Sequence, residues 1–162
     1  MNRKELRPAL QAIQKEIKAK QAAGDVAGEV EWRGRKAAVL VSAQRWAKAA
    51  TELDEAASLA ESIAQLGNAA RARLAQGQAL ANLEQFQAQA QAVFERAAAL
   101  FGKAAEPLWQ VKALRNLVGL QAGLTNYDAA LTTASHALAI MEKQAGQPEM
   151  QIACLRLRAS CA

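Results

Sequence analysis

Residues 126–141, NYDAALTTASHALAIM, carry a pattern that occurs twice more upstream, and this pattern decides the fold. Tyr127 opens the stretch, and apolar residues then follow at helical spacing. Three matching sets are separated by 41 and then 40 residues: Ala49, Leu53, Ala56 and Leu59; Ala90, Phe94, Ala97 and Leu100; and Ala130, Ala134, Ala137 and Ile140. A fixed period of this length is typical of stacked helical repeats. We therefore expect an all-α chain of helical hairpins.

The composition favours helices and one soluble domain. Hydrophobic residues make up 52% of the 162 residues but aromatic residues only 4%, and alanine dominates. Alanine favours helix and lets helix axes approach closely. The longest apolar runs, such as 37–41, are far too short to span a membrane, and the N-terminal segment lacks a signal-peptide core. Cys154 and Cys161 lie seven residues apart on one predicted helix, too far for a mutual disulfide. We expect reduced thiols and a cytoplasmic location.

Turn residues predict the boundaries of the helices. We expect a capping helix in 1–24 and a repeat domain in 25–162, with units at about 25–67, 68–106 and 107–147 and a terminal helix at 148–162. The predicted pairs are 26–42 with 45–66, 69–83 with 85–101, and 107–123 with 126–145. Gly67 and Asn68 are expected to close one helix and cap the next.

The two ends of the array leave alternatives open. The stripe Leu6, Leu10, Ile13 and Ile17 either packs on the first repeat as a cap or forms a short dimer seam. We therefore expect a monomer or a weak homodimer. The terminal helix either caps the array or begins a fourth unit that continues beyond this sequence.

The pattern resembles the tetratricopeptide-like helical repeats over roughly residues 25–162. Trp46 and Tyr127 match the aromatic that opens the second helix of each unit in that family, and the small positions are matched by Ala49, Ala56, Ala130 and Ala137. The middle unit departs from the pattern, because Phe86 lies one residue before the expected place, which Gln87 occupies. Gly77 lies near the small position of the first helix, where Lys36 and Leu117 are its equivalents. The period exceeds the usual ~34 residues, so the helices are longer, as in the repeats of kinesin light chains.

The resemblance implies a right-handed superhelix whose first helices line a concave groove for a peptide or protein segment. Transferred by position, the groove residues are Arg35, Gln76, Asn82, Lys112, Arg115, Asn116 and Arg156. The same shifts align Ala38, Ala79 and Gly119, whose small size leaves room for a bound chain. Lys112, Arg115 and Asn116 partly resemble a clamp for a terminal carboxylate, although Gly34 and Ala38 lack the polar groups such a clamp needs. The implied partner is acidic or carboxylate-terminated, and a solvated basic face is the alternative.

Catalytic chemistry is not indicated. His136, the one histidine, lies between the core positions Ala134 and Ala137 and is expected on a helix surface. The sequence lacks a phosphate-binding glycine loop, a zinc-ligand cluster and the common hydrolase motifs. We therefore expect no enzyme activity, no cofactor and no metal. The expected work is protein–protein interaction as an adaptor, co-chaperone or regulatory scaffold.

The uneven charge distribution supports a second hypothesis. Residues 1–48 hold eleven Lys and Arg against five Asp and Glu, a net charge of +6, whereas the whole chain carries +5. A basic N-terminal third favours nucleic acid or an acidic surface as a partner. Because no aromatic stacking set accompanies these charges, a nucleic-acid-associated protein is the alternative function and nucleic acid is the less favoured partner.

Leucine at two of the small repeat positions should destabilise the fold. In Ala90→Leu and Ala130→Leu the larger side chain separates neighbouring helices, and overpacking of this kind costs about 1–3 kcal/mol. Thermal unfolding followed by circular dichroism measures the effect. If both variants melt within about one degree of the parent, the repeat alignment is wrong.

Overall fold

The computed structural model describes residues 3–144, and this part of the chain is all-α. Without an intervening strand, it contains seven α-helices: α1 Arg3–Ala22, α2 Val26–Ser42, α3 Trp46–Ser62, α4 Leu66–Ala81, α5 Gln87–Lys103, α6 Pro107–Gly123 and α7 Tyr127–Lys143. A short 3-10 helix, Glu84–Phe86, leads into α5. The predicted all-α class is confirmed for this range, and the predicted terminal helix 148–162 lies outside the described residues.

Each helix packs mainly against the helix before it and the helix after it. The helices of each predicted hairpin are in contact, α2 with α3, α4 with α5, and α6 with α7. Because α3 packs on α4 and α5 on α6 just as extensively, the grouping into these pairs stays a prediction; α1 packs on α2. The first helices of successive hairpins make only slight contact with one another, as α4 and α6 show. The right-handed superhelical path implied by the resemblance stays a prediction.

The connections between helices repeat one geometry five times. In each, the residue that follows the C-cap has a left-handed backbone, with φ between 55° and 66°, at Gly24, Gln44, Ala64, Ala105 and Thr125. In the connection from α2 to α3, the N–H of Gln44 donates to the carbonyl of Val41 at 2.9 Å, and the N–H of Arg45 donates to that of Leu40 at 2.8 Å. This pair of bonds is the Schellman motif, which satisfies carbonyl groups that the ending helix leaves unpaired.

The last residue of each Schellman motif is also the N-cap of the next helix. Asp25 is such a residue, and its side chain accepts a hydrogen bond from the N–H of Gly28 at 2.8 Å. Asn126 accepts one from Ala129 in the same way at the start of α7. Because a helix ends and the next begins within three residues, helix starts recur regularly, at 26, 46, 66, 87, 107 and 127.

One helix with its connection is therefore the true repeating unit, and it takes 20 residues. The observed sequence period of 40 covers two such units. The extra residue in the step of 41 lies before α5, where the 3-10 helix Glu84–Phe86 replaces the five-fold repeated turn. Equivalent second helices, α3, α5 and α7, are consequently separated by 41 and then 40 residues, as the sequence pattern indicates, but the first helices α2, α4 and α6 are separated by 40 and then 41.

Two predicted helix boundaries are wrong. Helix α3 ends at Ser62 and α4 begins at Leu66, whereas the glycine signal placed this break at Gly67 and Asn68. The turn uses Ala64 as its left-handed residue, with φ of 58°, so Gly67 and Asn68 fall in the first turn of α4. Helix α5 begins at Gln87 and not at the predicted residue 85, because residue 85 belongs to the 3-10 helix. The predicted break between α5 and α6 is confirmed.

One helix position is buried in each of the helices α1 to α6. It is occupied by Ile17, Ala37, Ala57, Gly77, Ala98 and Val118, all of which are buried. Most of these side chains are small, and small residues allow neighbouring helices to pack closely. The predicted small positions Ala90 and Ala130 are also buried, at 0% and 7% exposure. Of the two opening aromatics, Trp46 packs against the core, whereas Tyr127 is 63% exposed.

Gly77 is needed for one close approach between α4 and α5. A Cβ atom at this residue would lie 2.6 Å from two ring carbons of Phe94. Phe94 is among the largest fully enclosed side chains and is only 2% exposed, so its ring has little freedom to move. The ring therefore occupies the volume that a side chain at residue 77 would need.

Alanine at Gly77 should destabilise the fold, whereas alanine at Gly119 should not. The added methyl group at Gly77 overlaps the Phe94 ring, and overpacking costs about 1–3 kcal/mol. Gly119 lies on the exposed side of α6 with nothing within 4 Å of its Cβ position, so Gly119→Ala should stabilise by up to about 1 kcal/mol through helix propensity. Urea unfolding measures both, and equal effects of the two variants would contradict this packing.

Candidate interaction groove

An open groove runs between the first helices α2 and α4. Its wider part has a volume of about 740 Å³ and continues into a narrower part of about 380 Å³. Small residues form the walls, with Gly34 and Ala38 on α2 and Ala75 on α4. Leu53 and Ala56 of α3 lie at the floor. The groove exists because each first helix packs on second helices and only lightly on the next first helix.

Charged residues at the wide end of the groove are paired with one another. Lys20 Nζ lies 2.7 Å from Asp25 Oδ2, and the hydrogen bond between them lowers the pKa of Asp25 and raises the pKa of Lys20. Glu31 pairs with Arg35, and Arg71 pairs with Glu106 at 2.6 Å. The groove between α2 and α4 thus carries balanced charge rather than the basic charge expected from the sequence.

The narrow end of the groove is neutral. It is lined by Val41 and Trp46 together with alanines of α2 and α4, and its polar groups come from Ser42, Gln78 and Asn82. Asn82 Nδ2 donates to the carbonyl of Gln78 at 2.7 Å. This end therefore offers apolar contact and amide hydrogen bonding.

The corresponding space between α4 and α6 is occupied by Trp109. Its place in α6 is equivalent to Gly28 in α2 and Asn68 in α4. The Trp109 ring stacks on Phe101, with ring centroids 5.9 Å apart. The guanidinium of Arg71 lies 5.3 Å, and Lys112 Nζ 4.3 Å, from the Trp109 ring centroid. Trp109 thus fills space between α4 and α6 that Asn68, the equivalent residue of α4, leaves open between α2 and α4.

The remaining predicted groove residues are distributed over two helices. Arg35 is exposed, pairs with Glu31 at 2.5 Å and lies over the Trp32 ring, 4.4 Å from its centroid. On α6, Lys112 and Arg115 are exposed, and Asn116 Nδ2 donates to the carbonyl of Lys112 at 2.8 Å. Arg156 lies outside the described residues.

Gln76 does not belong to the groove, so its prediction as a groove residue is wrong. The sequence alignment used a shift of 41 between α2 and α4, but the helix starts differ by 40, so Ala75 is the residue equivalent to Arg35. Gln76 is 4% exposed and borders a different cavity, between α3 and the start of α5. The same error affects Ala79, which is buried at 1% exposure although it contributes to the narrow end of the groove.

Sequence reasoning misses two arginines whose side chains are largely covered, Arg33 at 13% and Arg73 at 7% exposure. Arg33 and Arg73 lie 40 residues apart at one repeat position of α2 and α4, and the equivalent residue in α6 is the buried Leu114. The signal was present as a pair of arginines separated by the repeat distance at a position where other helices carry apolar residues. Both arginines point towards α3, from opposite neighbours in the stack.

Arg33 joins α2 to α3 through several carboxylates. Its Nε donates to Glu29 at 2.8 Å, and its Nη1 donates to Glu52 at 3.0 Å and pairs with Glu55. Burial alone would lower the pKa of Arg33, but the hydrogen bond to Glu29 and the surrounding negative charges outweigh it and raise the pKa. Lys36 adds a second cation that pairs with Glu52. The interface of α2 with α3 is therefore ionic as well as apolar.

Arg73 joins α4 to α3 in the equivalent way, through hydrogen bonds and ion pairs. Its Nη1 donates to Asp54 and, at 2.9 Å, to Gln76 Oε1, and its Nη2 donates to Ser58 at 3.2 Å and pairs with Glu61. The side chain of Arg73 is only 7% exposed. The network explains why Gln76 is buried, since Gln76 Nε2 also donates to Asp54 at 3.2 Å.

Comparisons with known proteins add no identity: no family model matches the chain, and no curated protein sequence matches it. Among residues 3–144, no cluster of three or more histidine, cysteine and acidic side chains has the arrangement of a metal site. Within the same range, every helix is too short or too polar to span a lipid bilayer.

Removing Arg73 should cost far more stability than removing Arg96, although both pair with Glu61. Arg73→Ala leaves Asp54 and Gln76 without their buried donor, and breaking a buried pair costs about 3–5 kcal/mol; the lower end applies because Asp54 is half exposed. Arg96 is 56% exposed, and exposed pairs contribute about 0–1 kcal/mol. Urea unfolding curves give both values. A loss below about 1 kcal/mol for Arg73→Ala would mean that the buried network does not stabilise the stack.

Proposed function

We propose that this chain is a non-catalytic protein-interaction module, working as an adaptor, co-chaperone or regulatory scaffold in the cytoplasm. Its repeated helices form a tetratricopeptide-like superhelix, and the groove between α2 and α4 holds a segment of a partner protein. The observation that carries the proposal is this groove, which is continuous over its two parts of about 740 and 380 Å³. Binding sites are typically concave and mostly apolar, with a few well-placed polar groups.

The small residues along the groove support binding of an extended or helical chain. Gly34 has no atom within 4 Å of its Cβ position, so a partner backbone has room to approach α2 there. Ala38 is exposed on the same helix one turn further along. On the opposite wall, Gln78 and Asn82 provide amide groups that pair with a peptide backbone.

We expect charged residues to attract a partner segment at α6 rather than between α2 and α4. The wide end of the groove has its cations paired internally, whereas Arg115 has no ion-pair partner among residues 3–144. An acidic or carboxylate-terminated partner segment would extend from the groove towards Lys112 and Arg115. Exposed charges of this kind contribute about 0–1 kcal/mol each, so their effect on affinity is modest and depends on salt.

Filling the groove should weaken peptide binding. Peptides are first selected from a random displayed library against the parent chain, and their affinities are then measured for Ala38→Leu and for the matched control Ala99→Leu. Ala38 lines the groove, and Ala99 is an exposed alanine on α5 away from it. We expect about tenfold weaker binding to Ala38→Leu, equivalent to about 1.4 kcal/mol, and no change for Ala99→Leu.

The same peptides separate groove binding from other modes. Lys112→Glu combined with Arg115→Glu should weaken the acidic peptides and leave neutral peptides unaffected, without changing the melting temperature. If the selected peptides bind Ala38→Leu and Ala99→Leu with equal affinity, the groove between α2 and α4 is not the binding surface.

A further inference from the structure

A second surface depression lies outside the groove, where α1, α2 and α3 meet. It has a volume of about 560 Å³ and is lined by Leu6, Arg7 and Leu10 of α1, Lys36 of α2, and Arg45, the N-cap of α3. We call this surface the α1–α3 face. It belongs to the most basic part of the chain, since residues 1–48 carry a net charge of +6.

Two of its three cations are uncompensated. Lys36 pairs with Glu52 and donates to Gln14 at 2.7 Å, so its charge is used within the fold. Arg7 and Arg45 are exposed, and neither has an ion-pair partner among the described residues 3–144. This differs from the groove between α2 and α4, where each lining cation has an acidic partner.

Further lysines flank the depression, no acidic side chain among the described residues lines it, and Glu52 beside it is paired with Lys36. Lys48 follows Arg45 by three residues, and Glu52, which reaches Lys36, follows by four more, so all three lie on one side of α3. On α1, Lys18 continues the side that carries Arg7 and Gln14. Glu16 is two residues from Lys18, which turns it about 200° around the helix axis. The local field is therefore positive.

The depression also has an apolar component. Leu6 and Leu10 are partly exposed and line the depression together with the two arginines. A partner that neutralises Arg7 and Arg45 must also cover these leucines. Bulky apolar side chains of a protein segment do so, and they gain free energy from the buried surface.

Nucleic acid fits this surface less well. A phosphate backbone would satisfy the arginines but would leave Leu6 and Leu10 against a polar, hydrated strand. The lining also lacks an aromatic side chain on which a base would stack. The combination of cations with aliphatic side chains favours protein.

We propose that the α1–α3 face is a second interaction surface, specific for a protein segment that combines acidic residues with bulky apolar residues. It works independently of the groove between α2 and α4, from which it differs in charge and in the helices that form it. The acidic partner chemistry expected from the basic sequence is thereby matched by Arg7 and Arg45.

The test measures binding of synthetic labelled peptides of about 12 residues to the full chain by fluorescence anisotropy, at about 50 and 200 mM salt. One peptide alternates Asp and Leu, a second has Asn in place of Asp, and a third has Ser in place of Leu. A DNA duplex of about 12 base pairs is the nucleic-acid probe. We expect the Asp–Leu peptide to bind at least about fivefold more tightly than the other two peptides and the duplex, and more weakly at the higher salt.

Charge-reversal variants locate the binding. Arg7→Glu combined with Arg45→Glu should weaken the Asp–Leu peptide about tenfold. The control is Lys103→Glu combined with Lys143→Glu, at exposed residues that end α5 and α7; it changes the net charge equally and should leave the affinity within about twofold. If the reversal variant unfolds, Arg7→Gln with Arg45→Gln replaces it and should weaken binding in the same direction. Ala38→Leu should have no effect, and this separates failure here from failure of the groove.

Several results would overturn the proposal. Equal binding of the Asp–Leu and Asn–Leu peptides would remove the role of charge, and equal binding of the Asp–Leu and Asp–Ser peptides would remove the role of the leucines. Equal losses in the two double variants would indicate non-specific attraction. Tighter binding of the duplex, lost with the Arg7 and Arg45 reversal, would identify a nucleic-acid surface instead.

Discussion

The structure depends on one hydrogen-bonded turn used five times. The Schellman motif closes a helix with a left-handed residue, and the residue that follows it caps the next helix. This leaves three residues between helices, and with helices of 16 or 17 residues the chain advances by about one helix every 20 residues. Only Gly24 relieves the backbone cost of the left-handed conformation with a glycine; Gln44, Ala64, Ala105 and Thr125 adopt it with a side chain. The stack accepts this cost of about 1 kcal/mol or more per turn because the turn sets the direction of every following helix.

Packing inside the stack changes character along the chain. Around α3 the interfaces contain Arg33 and Arg73 with their carboxylate partners. In α6 the equivalent residue is Leu114, and the interface with α7 contains a neutral hydrogen bond instead, from Thr133 to the buried Gln121 at 2.9 Å. Buried ion pairs contribute little net stability, because desolvation offsets much of the attraction. They are, however, costly to misalign, so Arg33 and Arg73 favour one pairing among helices that otherwise resemble one another closely.

The same repeated geometry produces different surfaces because single residues differ. Gly34 leaves the space between α2 and α4 open, and Trp109 fills the equivalent space between α4 and α6. Arg71 pairs with Glu106 beside that ring, so its charge does not reach the open groove. Free positive charge remains at Arg7 and Arg45, on the other side of α2. The molecule therefore presents a neutral groove on one surface and a basic, partly apolar depression on another.

The sequence by itself determined the helical class and the buried alanines, because helical periodicity and a 40-residue repeat are local properties of the chain. It did not reveal that Ala64 forms the turn after α3. Alanine rarely adopts a left-handed backbone, so the nearby Gly67 is the stronger sequence signal for the end of a helix. That error and the unrecognised residue before α5 moved the alignment of α4 by one position, which is about 100° around a helix. One position was enough to assign the buried Gln76 to the groove. Only the tertiary structure decided which side of each helix is covered, because burial of Arg73 and Gln76 and exposure of Ala38 depend on which helix lies opposite.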